Sequence, residues 1–492
     1  MGITTTLISG NDDETAVLAE AYSGDLSLVF KFDLDVSQPL ITSGRIVTCF
    51  HELEVDDEKN TFPDRASMRQ AVYDLISHVW PICSSDPLIR LPDAVVHIQQ
   101  DDRSETACTI SHESVFCRYL ASLLPVASVK DAVIRKRSVI KPRYASLESL
   151  QFSHKLGGRG GTTITRFRDQ KDGASYVYKG LSFRLFLEGE ANYELERDTF
   201  HRELKAIYSL PSHLNLQRAP PFLVTTGPPK SANQGVGEEG CVLCGMLYPF
   251  YEQQSLQEVI NQSNESYTIL SLVAKAKWAF QLASAMATVH SSGQYHMDLK
   301  PSNMLLNHEN DVIVIDWEQC GASPFFLAPE ASGVWDVEVV KSLERGEGQE
   351  AEPTMAYRKF TGPLTDNCGT WPRRNVFQLW QHECPRALEA AEIYSAGKSL
   401  WVIFEQRHDD WVYERKHPEE TAIEWTRGSG GVPEAWKDFV SQCMSLDPNE
   451  RPTFEQGERF WEQVWKQLEG STKEIRSCQC DSSSTTVKPI EQ

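Results

Sequence analysis

No stretch of this 492-residue chain stays apolar long enough to cross a bilayer, so a membrane-spanning helix is not expected. Cationic residues are outnumbered: 48 Lys and Arg stand against 69 Asp and Glu, a net charge of −21. Non-specific nucleic-acid binding needs Lys and Arg to neutralise phosphates, so that class is set aside. The opening "MGITTTLISGNDDE" has neither a basic region nor a long apolar core, so a secretory signal is not expected. Gly2 and Thr6 match the loose myristoylation pattern. The segment after them is acidic and would be repelled by anionic lipid, so an ordinary frayed start is the reading. The 12 cysteines have no framework spacing, and reduced thiols of an intracellular protein, cytoplasmic or nuclear, are expected. Cys241 and Cys244 form a C-x-x-C inside an apolar strand pattern. Residues three apart on a strand face opposite sides, which argues against a shared metal there. Cys478 and Cys480 lie in a polar tail and read as inert.

What is present is ordinary globular composition, 40% hydrophobic and 10% aromatic, with length for two or three domains. Residues 1–145 read as a small accessory α+β domain. "LSLVFKFDLDV" sets Leu26, Leu28, Phe30, Phe32, Leu34 and Val36 on one face of a strand. "DRASMRQAVYDLISHVW" sets Met68, Val72, Leu75 and Val79 at helical spacing, with Asp64 as N-cap. "AVVHIQ" (94–99) reads as a strand and "ESVFCRYLASLL" (113–124) as a helix. His78 and His97 each stand alone among apolar neighbours and read as packing or surface residues. "IRKRSVIKPRY" (134–144) carries five basic residues and reads as a solvated linker, with a docking patch for an acidic partner as the lesser alternative.

From about residue 150 the pattern changes. The Gly-rich "KLGGRGGTTITRF" precedes the strand "ASYVYKG", the helix "ELERDTFHRELKAIYSL" and the strands "PPFLVTT" and "CVLCGMLYPF". Long helices follow at 270–290, 387–406, 433–445 and 454–468. A strand-rich half, 150–250, thus precedes a helix-rich half, 251–470. Residues 471–492 are a Ser/Thr-rich tail that reads as disordered.

One stretch carries chemistry. "QYHMDLKPSNMLLN" packs Asp298, Lys300 and Asn303 within six residues. Phosphoryl transfer needs an aimed nucleophile, held metal ions and compensation of charge on the phosphate oxygens. Asp298 would accept a hydroxyl proton, Lys300 would face the transferred phosphate, and Asn303 would offer an amide oxygen to Mg²⁺. Thirteen residues after Asn303, the apolar run Val312 to Ile315 ends in Asp316, a second oxygen ligand.

With those residues in hand the chain resembles the eukaryotic protein kinase family over roughly residues 150–470. The quoted stretch matches H-R-D-L-K-P-x-N at His296, Asp298, Leu299, Lys300, Pro301 and Asn303, with Met297 departing. Asp316 matches the aspartate of D-F-G, here "DWE", and "APE" recurs at Ala328, Pro329 and Glu330. Lys179 in "YVYKG" matches the phosphate-holding strand lysine; Glu203 best matches its helical glutamate partner, with Glu196 and Glu194 as rivals. Arg451 in "LDPNERPT" matches the arginine that pairs with the A-P-E glutamate, and Glu392 stands where the central helix usually has aspartate. Gly158 and Gly160 begin a G-x-G-x-x-G pattern whose third position is Thr163. The order of the set makes it specific where single motifs are weak. The "DWE" and "APE" wording also resembles divergent fungal kinase-like proteins.

The resemblance implies a bilobal α+β fold, lobes at 150–250 and 251–470, ATP and Mg²⁺ as cofactors, and a protein substrate. Lys300, with Ser323 seven residues before Glu330 keeping the expected hydroxyl, implies serine/threonine specificity, and Met297 in place of the family's arginine implies a non-RD type. His296 is implied as a packing residue rather than a base. Small-molecule kinases share the catalytic residues but lack "APE" and the Arg451 segment. Met297, Thr163, Glu318 for the D-F-G glycine and a short activation segment support a competing pseudokinase or scaffold reading. Residues 331–386, including the acidic "GEGQEAEP", form an insertion expected near the substrate face, as a docking or autoinhibitory element.

Overall fold

The computed structural model describes residues 3–11, 14–23, 26–33, 42–51, 65–86, 89, 93–100, 106–112, 115–129, 142–157, 162–167, 173–226, 241–251, 254–319, 325–332, 335–340, 354–359, 385–408, 423–426 and 431–482. Helices and strands are mixed throughout. The chain divides into two compact units, one of Met1–Tyr208 with Ala219–Phe250, the other of Ser209–Arg218 with Tyr251–Gln492.

The first unit holds two sheets. The first has strands in chain order, β1 (Thr4–Gly10), β2 (Ala16–Ser23), β3 (Leu26–Asp33), β4 (Ala94–Gln100) and β5 (Thr106–His112). All neighbours are antiparallel except β3 and β4. A parallel pair needs a crossover, and here it carries α1 (Thr42–His51) and α2 (Arg65–Cys83). The alternation along β3 buries Leu28, Phe30 and Phe32, which meet Val72, Ile76 and Val79 of α2 in one core. His97 of β4 departs from the reading of an isolated residue. Its Nδ1 lies 2.9 Å from Asp33 Oδ2 and its Nε2 2.8 Å from Ser111 Oγ, partners that the register of β3, β4 and β5 brings alongside. Asp64, Leu34 and Val36 lie outside the described residues.

The stretch 113–124 forms only a short helix, α3 (Phe116–Ser122). Leu123 turns extended, and Leu124–Pro125 becomes β6, hydrogen-bonded to a strand of the second sheet, before the single turn α4 (Val126–Val129). Tyr119 donates to the Leu181 carbonyl at 2.9 Å and packs on Phe183, so this segment is built onto the second sheet rather than the first. That sheet runs β7 (Arg143–Ser146), β11 (Phe222–Thr226), β12 (Val242–Pro249), β10 (Tyr176–Gly180), β9 (Thr162–Phe167), β8 (Leu150–Gly157). Between β10 and β11 lie α5 (Phe183–Glu188) and α6 (Glu190–Ser209). Gly180 and Gly245 face each other across β10 and β12, and a Cβ on Gly245 would meet the Tyr178 ring at 2.2 Å. The missing side chains leave room for that ring between β10, which also carries Lys179, and β12.

In the second unit α7 (Leu256–Glu265) starts with a capping box from Ser255 and Glu258, and α8 (Leu272–Ser291) is capped by Ser271. A short hairpin follows, β13 (Met304–Leu306) with β14 (Val312–Val314). A second antiparallel hairpin, β15 (Trp335–Val340) with β16 (Thr354–Lys359), lies between residues 331 and 386. α9 (Pro385–Glu405) is buried on nearly every face, as expected of a helix with no polar side. α10 (Glu434–Cys443) and α11 (Phe454–Ser482) pack around it through Trp436, Trp461 and Phe404. α11 continues to Ser482, past residue 471, where composition alone suggests a tail. Among the described residues no helix is long and apolar enough to cross a membrane.

Candidate active site

In the first unit, strand β10 and helix α6 bring one ion pair together. Lys179 Nζ lies 2.8 Å from Glu203 Oε2. Glu203 is 1% exposed, and the Tyr248 hydroxyl donates to its other oxygen at 3.1 Å. Burial raises the Tyr248 hydroxyl pKa, and the adjacent Glu203 charge raises it further, so the phenol stays a donor. The rivals are thereby separated: Glu194 is exposed and lies 3.8 Å from Arg197. Thr163 sits inside β9 opposite Tyr178, a strand position that suits a β-branched residue. Gly158 and Gly160 lie outside the described residues.

In the second unit the loop after α8 is folded around Asp298. Lys300 Nζ is 2.6 Å from Asp298 Oδ2. Asn303 Nδ2 donates to the Asp298 carbonyl at 2.9 Å and to Asp298 Oδ2 at 3.0 Å. Burial pushes the Asp298 carboxyl above the usual carboxylate range, against the pull of Lys300. A buried carboxylate steered by a lysine and an amide is suited to taking a proton.

Three features hold this loop. His296 is fully buried, with Nε2 2.7 Å from the Ile315 carbonyl, Nδ1 accepting from the Asp298 N–H at 3.1 Å, and its ring 4.6 Å from that of Trp317. It is a packing residue in this geometry. Met297 adopts a left-handed φ of 64°, which turns the chain sharply before Asp298. Glu392 of α9 accepts from the His296 and Met297 N–H groups, each at 2.6 Å, so the longer side chain still spans to the loop. Its other oxygen bonds His290 of α8.

Asp316 lies just past β14, also left-handed at φ 71°, with its N–H donated to Gln217 Oε1 at 3.2 Å. The Ile315 N–H bonds the Asn303 carbonyl at 3.0 Å, so the strand end and the loop are joined. The Asp316 carboxylate and the Asn303 amide oxygen are hard oxygen donors of the kind that suits Mg²⁺. Further along, Arg451 meets Glu330 in a bidentate pair, both side chains at 0% exposure. Ser323 lies outside the described residues.

The motifs and this geometry find relatives among known proteins. The chain is 37% identical over 65 residues to the mitogen-activated protein kinase KSS1 of Saccharomyces cerevisiae, covering 13% of this chain and 18% of that one. It is 25% identical over 208 residues to the serine/threonine-protein kinase mos of Patiria pectinifera, 41% of this chain and 49% of that one. It is 36% identical over 81 residues to the probable serine/threonine-protein kinase FMP48 of Saccharomyces cerevisiae, 16% and 21%. These relatives, all serine/threonine or mitogen-activated protein kinases at modest identity, support a place in the eukaryotic protein kinase superfamily. No family model matches the chain. The matches span less than half the length of each of these three relatives.

Several site neighbours were not legible in the motifs. His290 carries no local signal, and only the packing of α8 on α9 brings it to Glu392. Gln319 is buried and donates to the Tyr295 carbonyl at 2.8 Å, and Lys398 is buried inside α9.

Proposed function

We propose that this kinase-superfamily chain is an ATP-dependent serine/threonine protein kinase of non-RD type with a shortened activation segment. The observation that supports it most is the Asp298–Lys300–Asn303 cluster on one folded loop, joined to the strand end that bears Asp316. Asp298 takes the proton of an acceptor hydroxyl as its oxygen bonds the γ-phosphorus. The bond from that phosphorus to the bridging oxygen of ATP breaks, and ADP leaves. Lys300 and Lys179 offset phosphate charge, and Glu203 fixes the position of Lys179. Mg²⁺ bound by Asn303 and Asp316 would neutralise the phosphate oxygens. Gly158 and Gly160 are proposed for nucleotide contact and Ser323 for the acceptor side. Glu330, Arg451 and Glu392 are the structural supports. The accessory domain and the 331–386 insertion are proposed to dock the partner protein.

A pseudokinase scaffold is the second reading, favoured by Met297 and by Glu318 at the D-F-G glycine. Two observations weigh against it. Glu318 lies outside the left-handed region, so its backbone does not require glycine. Thr163 belongs to a strand rather than to a tight loop. The deciding experiment is full-length protein with Mg²⁺-ATP and a serine/threonine peptide library, beside Asp298→Asn. Transfer by wild type and none by the variant supports the kinase. No transfer and no thermal shift with Mg²⁺-ATP gives the scaffold reading.

A further inference from the structure

The first sheet of the first unit carries a cluster of side chains with chemistry of its own. Strand pairing sets Lys31 of β3 opposite His97 of β4, and His97 opposite Thr109 of β5. Side chains two residues apart on a strand share a face, so Asp33 and Ser111 lie on the face of His97, diagonally placed on its two flanks. His97 Nδ1 is 2.9 Å from Asp33 Oδ2, and its Nε2 is 2.8 Å from Ser111 Oγ. The core against α2 is built from the other face of the sheet, through Phe30, Phe32, Val96 and Ile98. The three polar side chains are therefore not needed to fill that core.

Charge sets the direction of the hydrogen bonds. Burial raises the Asp33 carboxyl pKa, but the His97 hydrogen bond and Lys31, whose Nζ is 3.1 Å from Oδ1, outweigh it and hold Asp33 below its ordinary range. An ionised carboxylate only accepts, so His97 Nδ1 carries the hydrogen and donates it. In the neutral ring Nε2 is then the acceptor, and Ser111 Oγ donates to it. A hydroxyl bonded to a base that a carboxylate orients is the arrangement of an activated nucleophile.

The face is also open. The Asp33 side chain is 47% exposed and that of His97 17%, so a small substrate can reach the cluster. β5 ends the strand order of its sheet. In an antiparallel pair, successive residues turn their N–H groups alternately toward the partner and away from it. Either Ser111 or both of its neighbours therefore turn an N–H to the outer edge, in place to donate to an oxyanion formed at Ser111.

We propose that Ser111 is a nucleophile toward small activated carboxylic esters, with His97 as its general base and Asp33 as the positioning residue for His97. Ser111 Oγ bonds the carbonyl carbon of the ester as its proton passes to His97 Nε2. The bond from that carbon to the alcohol oxygen breaks, and the departing alcohol takes the proton from Nε2. Water then gives a proton to Nε2 as it attacks the acyl group, the carboxylic acid leaves, and Ser111 regains its proton. The proposal does not rest on the protein-kinase reading.

The test uses the full chain with an alkyl fluorophosphonate, which bonds a nucleophilic serine oxygen through phosphorus and releases fluoride, and with p-nitrophenyl acetate. Mass spectrometry is expected to find the phosphonate on Ser111. Ser111→Ala loses both labelling and ester turnover. His97→Gln slows labelling about 10²-fold, at the lower end of what a positioned base supplies. Asp33→Asn lowers kcat for the ester about tenfold with KM unchanged, less than a buried carboxylate would, because solvent screens a half-exposed charge. Asp33→Glu restores part of that loss, which a purely structural role would not produce. No labelling of wild type, an adduct confined to another serine, or equal labelling rates in wild type and His97→Gln overturns the proposal. If Ser111→Ala does not fold, the mapped adduct on wild type and the rate in His97→Gln decide.

Discussion

Replacing Arg451 by alanine removes the donor side of a contact closed to water on both sides. The guanidinium makes four hydrogen bonds: Nη1 to Glu330 Oε1 at 2.5 Å and to the Ala390 carbonyl at 2.9 Å, Nη2 to Glu330 Oε2 at 3.0 Å, and Nε to the Ser445 carbonyl at 2.9 Å. Both side chains are at 0% exposure, so no solvent replaces what is lost. Breaking one side of such a pair costs about 3–5 kcal/mol, because the remaining charge is buried alone. At roughly 2–4 °C per kcal/mol for a domain of about 150–250 residues, the transition of the second unit should fall by about 6–20 °C. Differential scanning calorimetry of the full chain reads this. Arg451→Lys keeps the charge but loses the fork, and should fall between the two. The double variant Arg451→Met, Glu330→Leu removes both charges and should melt above Arg451→Ala, short of wild type by the two carbonyls left without donors. A melting curve of Arg451→Ala that overlays wild type refutes the reasoning, and so does a double variant less stable than the single one.

Four further outcomes are expected. Asp298→Ala should lower kcat by roughly 10²–10⁴ with nucleotide affinity little changed, and wild-type kcat should fall with acid at a pH above the usual carboxylate range, because burial raises the pKa of Asp298 and only its ionised form takes the proton; steady-state kinetics across pH checks both. Asp316→Ala should abolish the Mg²⁺-dependent thermal shift with ATP, and a retained shift would remove Asp316 from the metal. Burial lowers the His290 pKa, but its hydrogen bond to Glu392 and the Glu389 charge 3.9 Å away outweigh this and raise it to about 9. The stabilisation that follows is full below about pH 6.5 and lost as pH rises through about 9. His290→Gln should therefore destabilise more at pH 6 than at pH 9.5 in urea titrations, and an equal cost at both would sink the assignment.

The sequence by itself placed the loop that carries the candidate site. Asp298, Lys300 and Asn303 stand within six residues, and chain connectivity leaves them no means of being far apart. It also marked the strand that bears Lys179, the run into Asp316 and the buried faces of β3 and α2, because periods of two and 3.6 are written locally. Pairings across long separations were legible only through family resemblance or not at all. Glu330 and Arg451 are 121 residues apart, and His290 and Glu392 are 102 apart. Between Glu203, Glu194 and Glu196 the periodicity of one helix could not choose; the packing of α6 against β10 did, by burying one carboxylate beside Lys179. His97 looked isolated because its partners, Asp33 and Ser111, come from neighbouring strands in space and not from its own. The tertiary structure likewise assigned Leu124–Pro125 to the second sheet, since backbone donors and acceptors on an extended segment pair with whichever strand edge the fold brings near. Lys398 is the extreme case. A lysine inside a helix reads as solvent-facing, yet Lys398 is buried with its ammonium over the rings of Phe325 and Trp401.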